Sequence, residues 1–251
     1  MSDIASEFYS GLVAQLYEPL AGSLVDPESF LQFVRKSGTP ALELACGAGH
    51  PMLDLVAQGY DVWGIDSSKD MLDQCREKAE ARGLQPSVHL QLMQELELEQ
   101  QFQSCYIAGA SFCLMDRLED AQETVRRVYK HLASTGTFLL SVFRPTMESQ
   151  PGAERSKTRD DGSIISVQSV AQEEFPAQQL VITRLRYSIR LGEQVHQQVE
   201  RDWIIRWYEC NQLCSVLENT GFVVESTVDF NGKKSESNSC NFTIVARKPA
   251  D

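Results

Sequence analysis

The stretch "ALELACGAGHPMLDLVAQGYDVWGID", residues 41 to 66, decides the fold. It opens on a short apolar run, "ALELA" (41–45), turns on Gly47 and Gly49, and continues into a helical segment over 50–58. A second apolar run, "YDVWGID" (60–66), ends on an acid. Downstream, Ser67 is expected to cap a helix over 69–82, and "VHLQLM" (88–93) and "SCYIAGA" (104–110) are strand candidates. "LEDAQETVRRVYKHL" (118–132) has apolar residues at helical spacing; the turn "ASTG" then leads into the apolar strand "GTFLLSVF" (136–143). Strands alternating with helices predict a mostly parallel sheet covered on both faces, an α/β fold.

On the N-terminal side, residues 6–36 read as helical, with a break at "EPLAGS" and a restart at Asp26-Pro27, where Asp caps and Pro takes the first helical position. On the C-terminal side, residues 144–160 turn polar and irregular. Three β-rich pieces follow, "SIISVQSV", "LVITRLRYSIRL" and "VHQQVERDWIIRWY", with no helix between them, so 163–207 reads as a small antiparallel sheet. A helix, "ECNQLCSVLENT", ends at Gly221, and "FVVESTVDF" and "CNFTIVARK" close the chain as an antiparallel hairpin. Four units result: an N-terminal helical cap (1–36), a core (37–143), an inserted antiparallel β lid (144–207) and a C-terminal completion of the core (208–251).

Composition narrows the function. With 42% hydrophobic and 23% charged residues, the 251-residue chain has an ordinary globular balance. A net charge of −12 argues against a nucleic-acid partner, since phosphate binding relies on clustered Lys and Arg. No run nears the roughly 20 apolar residues of a membrane span, and "MSDIASEFYSG" lacks the basic start and apolar block of a signal peptide. Seven scattered cysteines suit a reducing compartment, so a cytoplasmic location is expected, as a monomer or homodimer. Cys210 and Cys214 lie one helical turn apart, but no CxxC or histidine partner lies nearby, so no metal is expected.

The glycine turn selects among ligands. A dinucleotide fingerprint needs a third glycine where this chain has Met52, and no Gly-Lys-Ser/Thr follows for a P-loop. Glu43-x-Ala45-x-Gly47-x-Gly49 remains, with Asp66 ending the next strand. A glycine turn lets a ligand approach the backbone, amides at a helix start favour a carboxylate, and an acid at the strand end accepts from both ribose hydroxyls. These are the demands of a nucleoside with a negative tail and no pyrophosphate.

This set resembles the cofactor motif of the class I S-adenosylmethionine-dependent methyltransferases. "GYDVWGIDSSKDMLDQCREKA" resembles the family's second strand and helix, which implies Ser67 and Met71 beside the cofactor. "VHLQLMQELELEQQF" resembles the adenine wall, with Gln94 or Glu95 where the family has an acid; "YIAGASFCLM" resembles the fourth strand, with Ala108 and Gly109 at the methionine end. "VYKHLASTGTFLLSVFRP" is similar to the segment that usually ends in Leu-x-Pro-Gly-Gly, with Ser134 and Thr135 in place of Pro-Gly. "RWYECNQLCSVLENTGF" resembles the late helix. The resemblance implies a Rossmann-like sheet with the inserted antiparallel sheet as its lid, S-adenosylmethionine as cofactor, and an acceptor entering above the strand ends. Tyr9 and Tyr17 are the candidate catalytic groups, with Tyr17 also facing the cofactor; Ser111, Phe112, Met115, Arg144, Trp203 and Tyr208 are the candidate substrate contacts.

Single residues carry competing readings. Glu43 is expected to hydrogen-bond the turn, because an unpaired buried carboxylate is costly. Cys46 reads as a small filler and His131 as a helix-end cap, while His50 is either a cofactor neighbour or helix-start surface. Trp203, Trp207 and Tyr208 are either core of the inserted sheet or substrate wall. An insert after the fifth strand resembles the subgroup acting on small-molecule amines, which implies N-methylation of a small polar metabolite. O-methylation, use of another carbon of the cofactor with release of methylthioadenosine, and a non-catalytic binder are the alternatives.

Overall fold

A computed structural model describes residues 4–21, 25–147, 152 and 154–250. Three helices lead the chain: α1 (Ile4–Phe8), α2 (Leu12–Ala21) and α3 (Pro27–Ser37). The helical stretch ends at Ala21, inside the expected break at 18–23, and restarts at Pro27 as expected; a second break was not foreseen. The chain breaks at Gly11, which has φ +56, and α2 runs on through Pro19 to Ala21; residues 22–24 lie outside the described residues. Asp26 caps α3 by accepting the Glu28 N–H at 3.1 Å, with Pro27 at the first position.

The alternating region follows: β1 (Ala41–Leu44), α4 (Met52–Ala57), β2 (Val62–Asp66), α5 (Lys69–Ala81), β3 (Ser87–Leu90), β4 (Phe102–Ile107), α6 (Leu118–His131) and β5 (Leu132–Val142). The last elements of the same layer are α7 (Cys210–Thr220), β10 (Val223–Val228) and β11 (Phe242–Arg247), and the seven strands order as β10-β11-β5-β4-β1-β2-β3. All pairings from β5 through β4, β1 and β2 to β3 are parallel; β11 runs antiparallel to both β5 and β10. The alternation of side chains along each strand feeds two cores. Leu42, Leu44, Cys105 and Ile107 join Val125 and Val128 of α6 and Leu213 and Leu217 of α7. Ala41 and Tyr106 join Phe30 and Val34 of α3, Leu53 of α4 and Leu72 of α5 on the other face. Each buried Val, Leu, Ile or Phe among them contributes about 1.5–3 kcal/mol.

Two local readings change. Ser68, not Ser67, caps α5: its backbone is extended (φ −92°, ψ 114°) and its Oγ accepts the Met71 N–H at 3.2 Å. The "ASTG" segment is no free turn, because β5 starts directly at Leu132. Thr135 takes φ +64 within it, and Gly136 presses on its neighbours so closely that a Cβ would sit 3.0 Å from the Ala133 carbonyl oxygen.

The second sheet has four strands, β6 (Arg155–Thr158), β7 (Ile164–Phe175), β8 (Leu180–Leu191) and β9 (Gln194–Arg206), in that order and antiparallel throughout. The sequence supplied three of them. Part of the segment read as irregular, 144–160, forms the edge strand β6, whose four residues are all exposed; it has no apolar alternation to betray it. Residues 148–151 and 153 of that segment lie outside the described residues. Phe8, Val13 and Leu16 of α1 and α2 pack on Ile165, Val167, Tyr187 and Ile189, which seats the N-terminal helices on this sheet. A small cluster of Ala14, Ala48 and Met71, with Tyr9 and Tyr17 against it, joins the same helices to the glycine turn. Further ties run to α5 and its cap: Gly11 N–H to Asp70 at 2.6 Å, Gln74 to the Ala14 carbonyl at 3.0 Å, and Lys78 with Glu18.

Candidate active site

The turn between β1 and α4 is held from β2. Asp66, the last residue of β2, accepts the Gly47 N–H on one carboxylate oxygen and the Ser68 N–H on the other, both at 2.8 Å. Gly47 and Gly49 both have positive φ, +53 and +94, but different surroundings. A Cβ on Gly47 would meet only the mobile Met71 methyl, at 3.3 Å, and Gly47 borders the cleft described below. A Cβ on Gly49 would lie 2.7 Å from Leu53 and 2.9 Å from the Cys75 sulfur. Gly49 therefore serves packing of the turn on α4 and α5, and it is not among the residues that border the cleft.

Glu43 is fully buried, on the α3–α5 side of β1 directly beside Tyr106 of β4. Among the described residues neither carboxylate oxygen, nor the Tyr106 hydroxyl, meets a partner at good hydrogen-bond geometry; the Tyr106 hydroxyl and the Met52 N–H are the polar groups beside the carboxyl. Burial drives the Glu43 carboxyl well above the ordinary carboxylate range; the nearby Tyr106 hydroxyl opposes that shift and the Asp66 charge adds to it. Cys46, expected as a filler, is buried next to this carboxyl, with its thiol pushed up by burial and by the Asp66 and Glu43 charges.

A cleft of about 1420 Å³ opens over the carboxyl ends of the strands, where open α/β sheets place ligands. One end is bordered by Ala45, Gly47, His50, Asp66, Ser67 and Met71, with Gln94 on the β3 side and Ala108 and Gly109 after β4. Tyr9, Tyr17, Ser111, Met115, Arg144 and Trp203 border the remainder. The structure thus brings together fifteen of the twenty residues expected to form the site, counting each once. Gly49, Glu43, Glu95, Phe112 and Tyr208 stand apart. Glu95 faces solvent one position beyond Gln94 on a single 3₁₀ turn. Phe112 and Tyr208 are buried against each other, ring centroids 5.5 Å apart, because the turn over 111–114 sends Ser111 and Leu114 to the cleft and Phe112 and Cys113 to the core.

His50 borders the cleft as a tether: one ring nitrogen meets Asp54 at 3.0 Å and the other the Val25 carbonyl oxygen at 3.1 Å. His131 is satisfied within its surroundings, accepting the Leu98 N–H on Nε2 (3.0 Å) and donating from Nδ1 to the Arg127 carbonyl (2.7 Å). The Cys210 and Cys214 sulfurs are 3.9 Å apart, and among the described residues no group of three or more His, Cys, Asp or Glu could hold a metal ion.

Aromatic groups form much of the cleft wall. Tyr9 and Tyr17 meet edge to face at 5.0 Å, and Phe143 and Trp203 pack at 5.8 Å. Burial pushes the Tyr9 and Tyr17 hydroxyls above their ordinary value; the two rings perturb each other, and the Arg155 charge pulls Tyr17 partly back. Both phenols are therefore neutral at physiological pH, able to donate or accept a hydrogen bond but not to act as preformed anions. Arg144 lies over Trp207, 4.4 Å from the ring centroid, and pairs with Glu174. Trp207 itself is buried and does not border the cleft.

The sequence reading missed Phe143, Lys157, Phe230, Asn241 and Thr243, all on the cleft wall. Phe143 follows the last residue of β5 and was findable as the end of the fifth strand. Lys157 comes from an edge strand, Phe230 and Asn241 from a hairpin loop and Thr243 from the start of β11, none of which carries a local signal of facing a site. Phe230 is 61% exposed at the mouth.

Residues 41–136 match the sequence model of the methyltransferase domain family. Among named proteins, a provisionally named methyltransferase of Geobacillus sp. (strain WCH70) is 26% identical over 221 residues, 86% of this chain and 87% of that protein. Among solved structures, an S-adenosylmethionine-dependent methyltransferase from Clostridium acetobutylicum shares the fold with a TM-score of 0.73 at 18% identity, covering 94% of this chain and 98% of that one. A sugar N-methyltransferase from Streptoalloteichus sp. shares it with a TM-score of 0.75 at 16% identity, covering 94% and 92%.

Proposed function

We propose N-methylation of a small polar metabolite as the reaction of this chain, which is a class I S-adenosylmethionine-dependent methyltransferase. The observation that supports this most is a cleft of about 1420 Å³ in which the paired rings of Tyr9 and Tyr17, packed on Ala48 and Met71, stand beside the glycine turn and Asp66, with Phe143 and Trp203 also on its wall. Pockets for one ligand run to about 300–1,000 Å³, so this one has room for a cofactor and an acceptor together. An amine acceptor accords with the sugar N-methyltransferase that shares the fold.

The residues fit the cofactor. Gly47 leaves backbone open to the cleft, and the Asp66 oxygens each accept one backbone N–H, while a carboxylate oxygen accepts more than one hydrogen bond. On this reading Asp66 holds the ribose hydroxyls, the turn over Ala45 and Gly47 the methionine tail, Gln94 the adenine, and Ala108 and Gly109 the far side. S-adenosylmethionine held there would supply an electrophilic methyl group on a positively charged sulfur and would leave as adenosylhomocysteine, the proton of the methylated nitrogen passing to solvent.

The chain's own groups align and dehydrate the acceptor. Tyr9 and Tyr17 present π faces that favour a positive charge and hydroxyls that orient the acceptor nitrogen. Trp203, Phe143 and Met115 exclude water, and Ser111 supplies a hydroxyl. Residues 1–36 cap the cleft, 37–143 with 208–251 hold the cofactor, and 144–207 cover the acceptor. The test is incubation with methyl-labelled cofactor and a panel of primary amines, amino sugars and alcohols, with product analysis. Label on nitrogen and release of adenosylhomocysteine is the expected result. Label confined to oxygen would make this an O-methyltransferase, and release of methylthioadenosine would overturn methyl transfer altogether.

A further inference from the structure

The charged groups around the cleft are almost all already matched. Asp66 accepts two backbone N–H groups, and Asp26 is occupied as a helix cap. Asp229 accepts the Asn231 and Lys233 N–H groups of its own loop, Glu18 pairs with Lys78, and Arg144 pairs with Glu174. Two cations on β6 are different. Arg155 and Lys157 are exposed, and neither has a hydrogen bond or an ion pair among the described residues.

Their direction follows from register. Residues two apart on a strand share a face. Arg155 pairs with Val167 and Lys157 with Ile165, and those two partners point into the cluster beneath α1 and α2. Arg155 and Lys157 therefore lie on the side of the sheet that carries the cleft. Lys157 borders the cleft itself, and the Arg155 charge reaches the Tyr17 and Tyr187 hydroxyls. Glu154, next to Arg155 in the chain, is engaged by Arg190 at 3.0 Å and by Ser166, on the opposite face. In a chain of net charge −12, two unmatched cations side by side at one rim are not a generic solvated surface.

We propose that Arg155 and Lys157 form an anion subsite at the β6 rim of the cleft, which takes a carboxylate or phosphate carried by the acceptor while the acceptor's amine lies toward Tyr9 and Tyr17. This rests on the methyl-transfer reading and narrows it: the acceptor is a zwitterion-like amine with a remote negative group, not a simple amine. A forked guanidinium beside an ammonium suits both kinds of oxyanion.

Isothermal calorimetry at fixed ionic strength tests it with inorganic phosphate, pyrophosphate and malonate as probes. Each is titrated into the wild-type protein, the double variant R155Q/K157Q and the control K36Q, with and without adenosylhomocysteine. The expected result is one-to-one binding of at least one anion to wild type and K36Q, weakened at least tenfold in R155Q/K157Q, with adenosylhomocysteine affinity within twofold in all three. Malonate alone assigns a carboxylate; phosphate or pyrophosphate assigns a phosphoryl group. No anion binding to wild type, or equal binding to the double variant, overturns the subsite. Failure of adenosylhomocysteine to bind any of the three is a separate result and counts against the methyltransferase site instead.

Discussion

Replacing each turn glycine by alanine separates packing from ligand contact. At Gly49 the added methyl carbon would sit 2.7 Å from Leu53 and 2.9 Å from Cys75, inside a core that cannot recede, and the residue holds φ +94. Left-handed strain costs an L-residue roughly 1–2 kcal/mol, and overpacking adds about 1–3 kcal/mol. Gly49→Ala is thus expected to lose about 2–5 kcal/mol, a large share of the roughly 5–15 kcal/mol that holds a domain folded. At Gly47 the methyl carbon meets only the end of Met71 at 3.3 Å and φ is +53, so strain alone applies, about 1–2 kcal/mol. Gly47 also borders the cleft, so its penalty falls on the ligand: adenosylhomocysteine affinity drops at least tenfold. Urea denaturation followed by circular dichroism reads the first effect and calorimetry the second. If Gly49→Ala unfolds within about 0.5 kcal/mol of wild type, or if Gly47→Ala binds adenosylhomocysteine normally, the division of labour argued for the two glycines is wrong.

Glu43→Gln should change how stability depends on pH. Burial raises the carboxyl's pKa in the folded state above its unfolded value, so the fold binds the proton more tightly; that contribution is complete below the unfolded pKa and fades as pH rises toward the folded one. Wild-type ligand-free protein therefore loses stability above about pH 4.5, by up to roughly 1.4 kcal/mol per pH unit, whereas the Gln variant lacks that slope. Parallel pH profiles for the two proteins in denaturant titrations would refute the unpartnered burial of Glu43. Tyr17→Phe keeps the ring and removes the hydroxyl, so methyl transfer should fall about tenfold or more with adenosylhomocysteine affinity within a factor of about two. Because the phenol is neutral throughout, its loss should leave the pH–rate profile unshifted, and a displaced profile would assign Tyr17 an ionising role.

What could be read in advance was whatever rests on local periodicity. The strands around 41–66 announce themselves because a buried parallel sheet needs apolar runs, and Asp26-Pro27 and Gly221 mark helix ends by their own chemistry. The β6 strand was invisible because all its side chains are exposed, leaving nothing for a hydrophobic pattern to show. Within the site, the turn and Asp66 were legible, since backbone approach and hydrogen-bond acceptance demand particular residue types at fixed spacing. Which of Gln94 and Glu95, or of Ser111 and Phe112, borders the cleft depends on the rotation of a single 3₁₀ turn, and that is fixed by tertiary packing. Gly49 shows the converse case: the motif requires a glycine there, but the structure assigns the requirement to Leu53 and Cys75. Lys157 and Phe230 reach the cleft from loops and edges far along the chain, and sequence spacing says nothing of that distance.

A crystal structure grown with adenosylhomocysteine addresses the central claim most directly. The account predicts the nucleoside between Gly47 and Asp66, with both ribose hydroxyls within hydrogen-bond distance of the Asp66 carboxylate and the amino-acid tail against the turn. Density for the ligand elsewhere, or an Asp66 carboxylate bonded only to the Gly47 and Ser68 amides with the ribose out of reach, would contradict it.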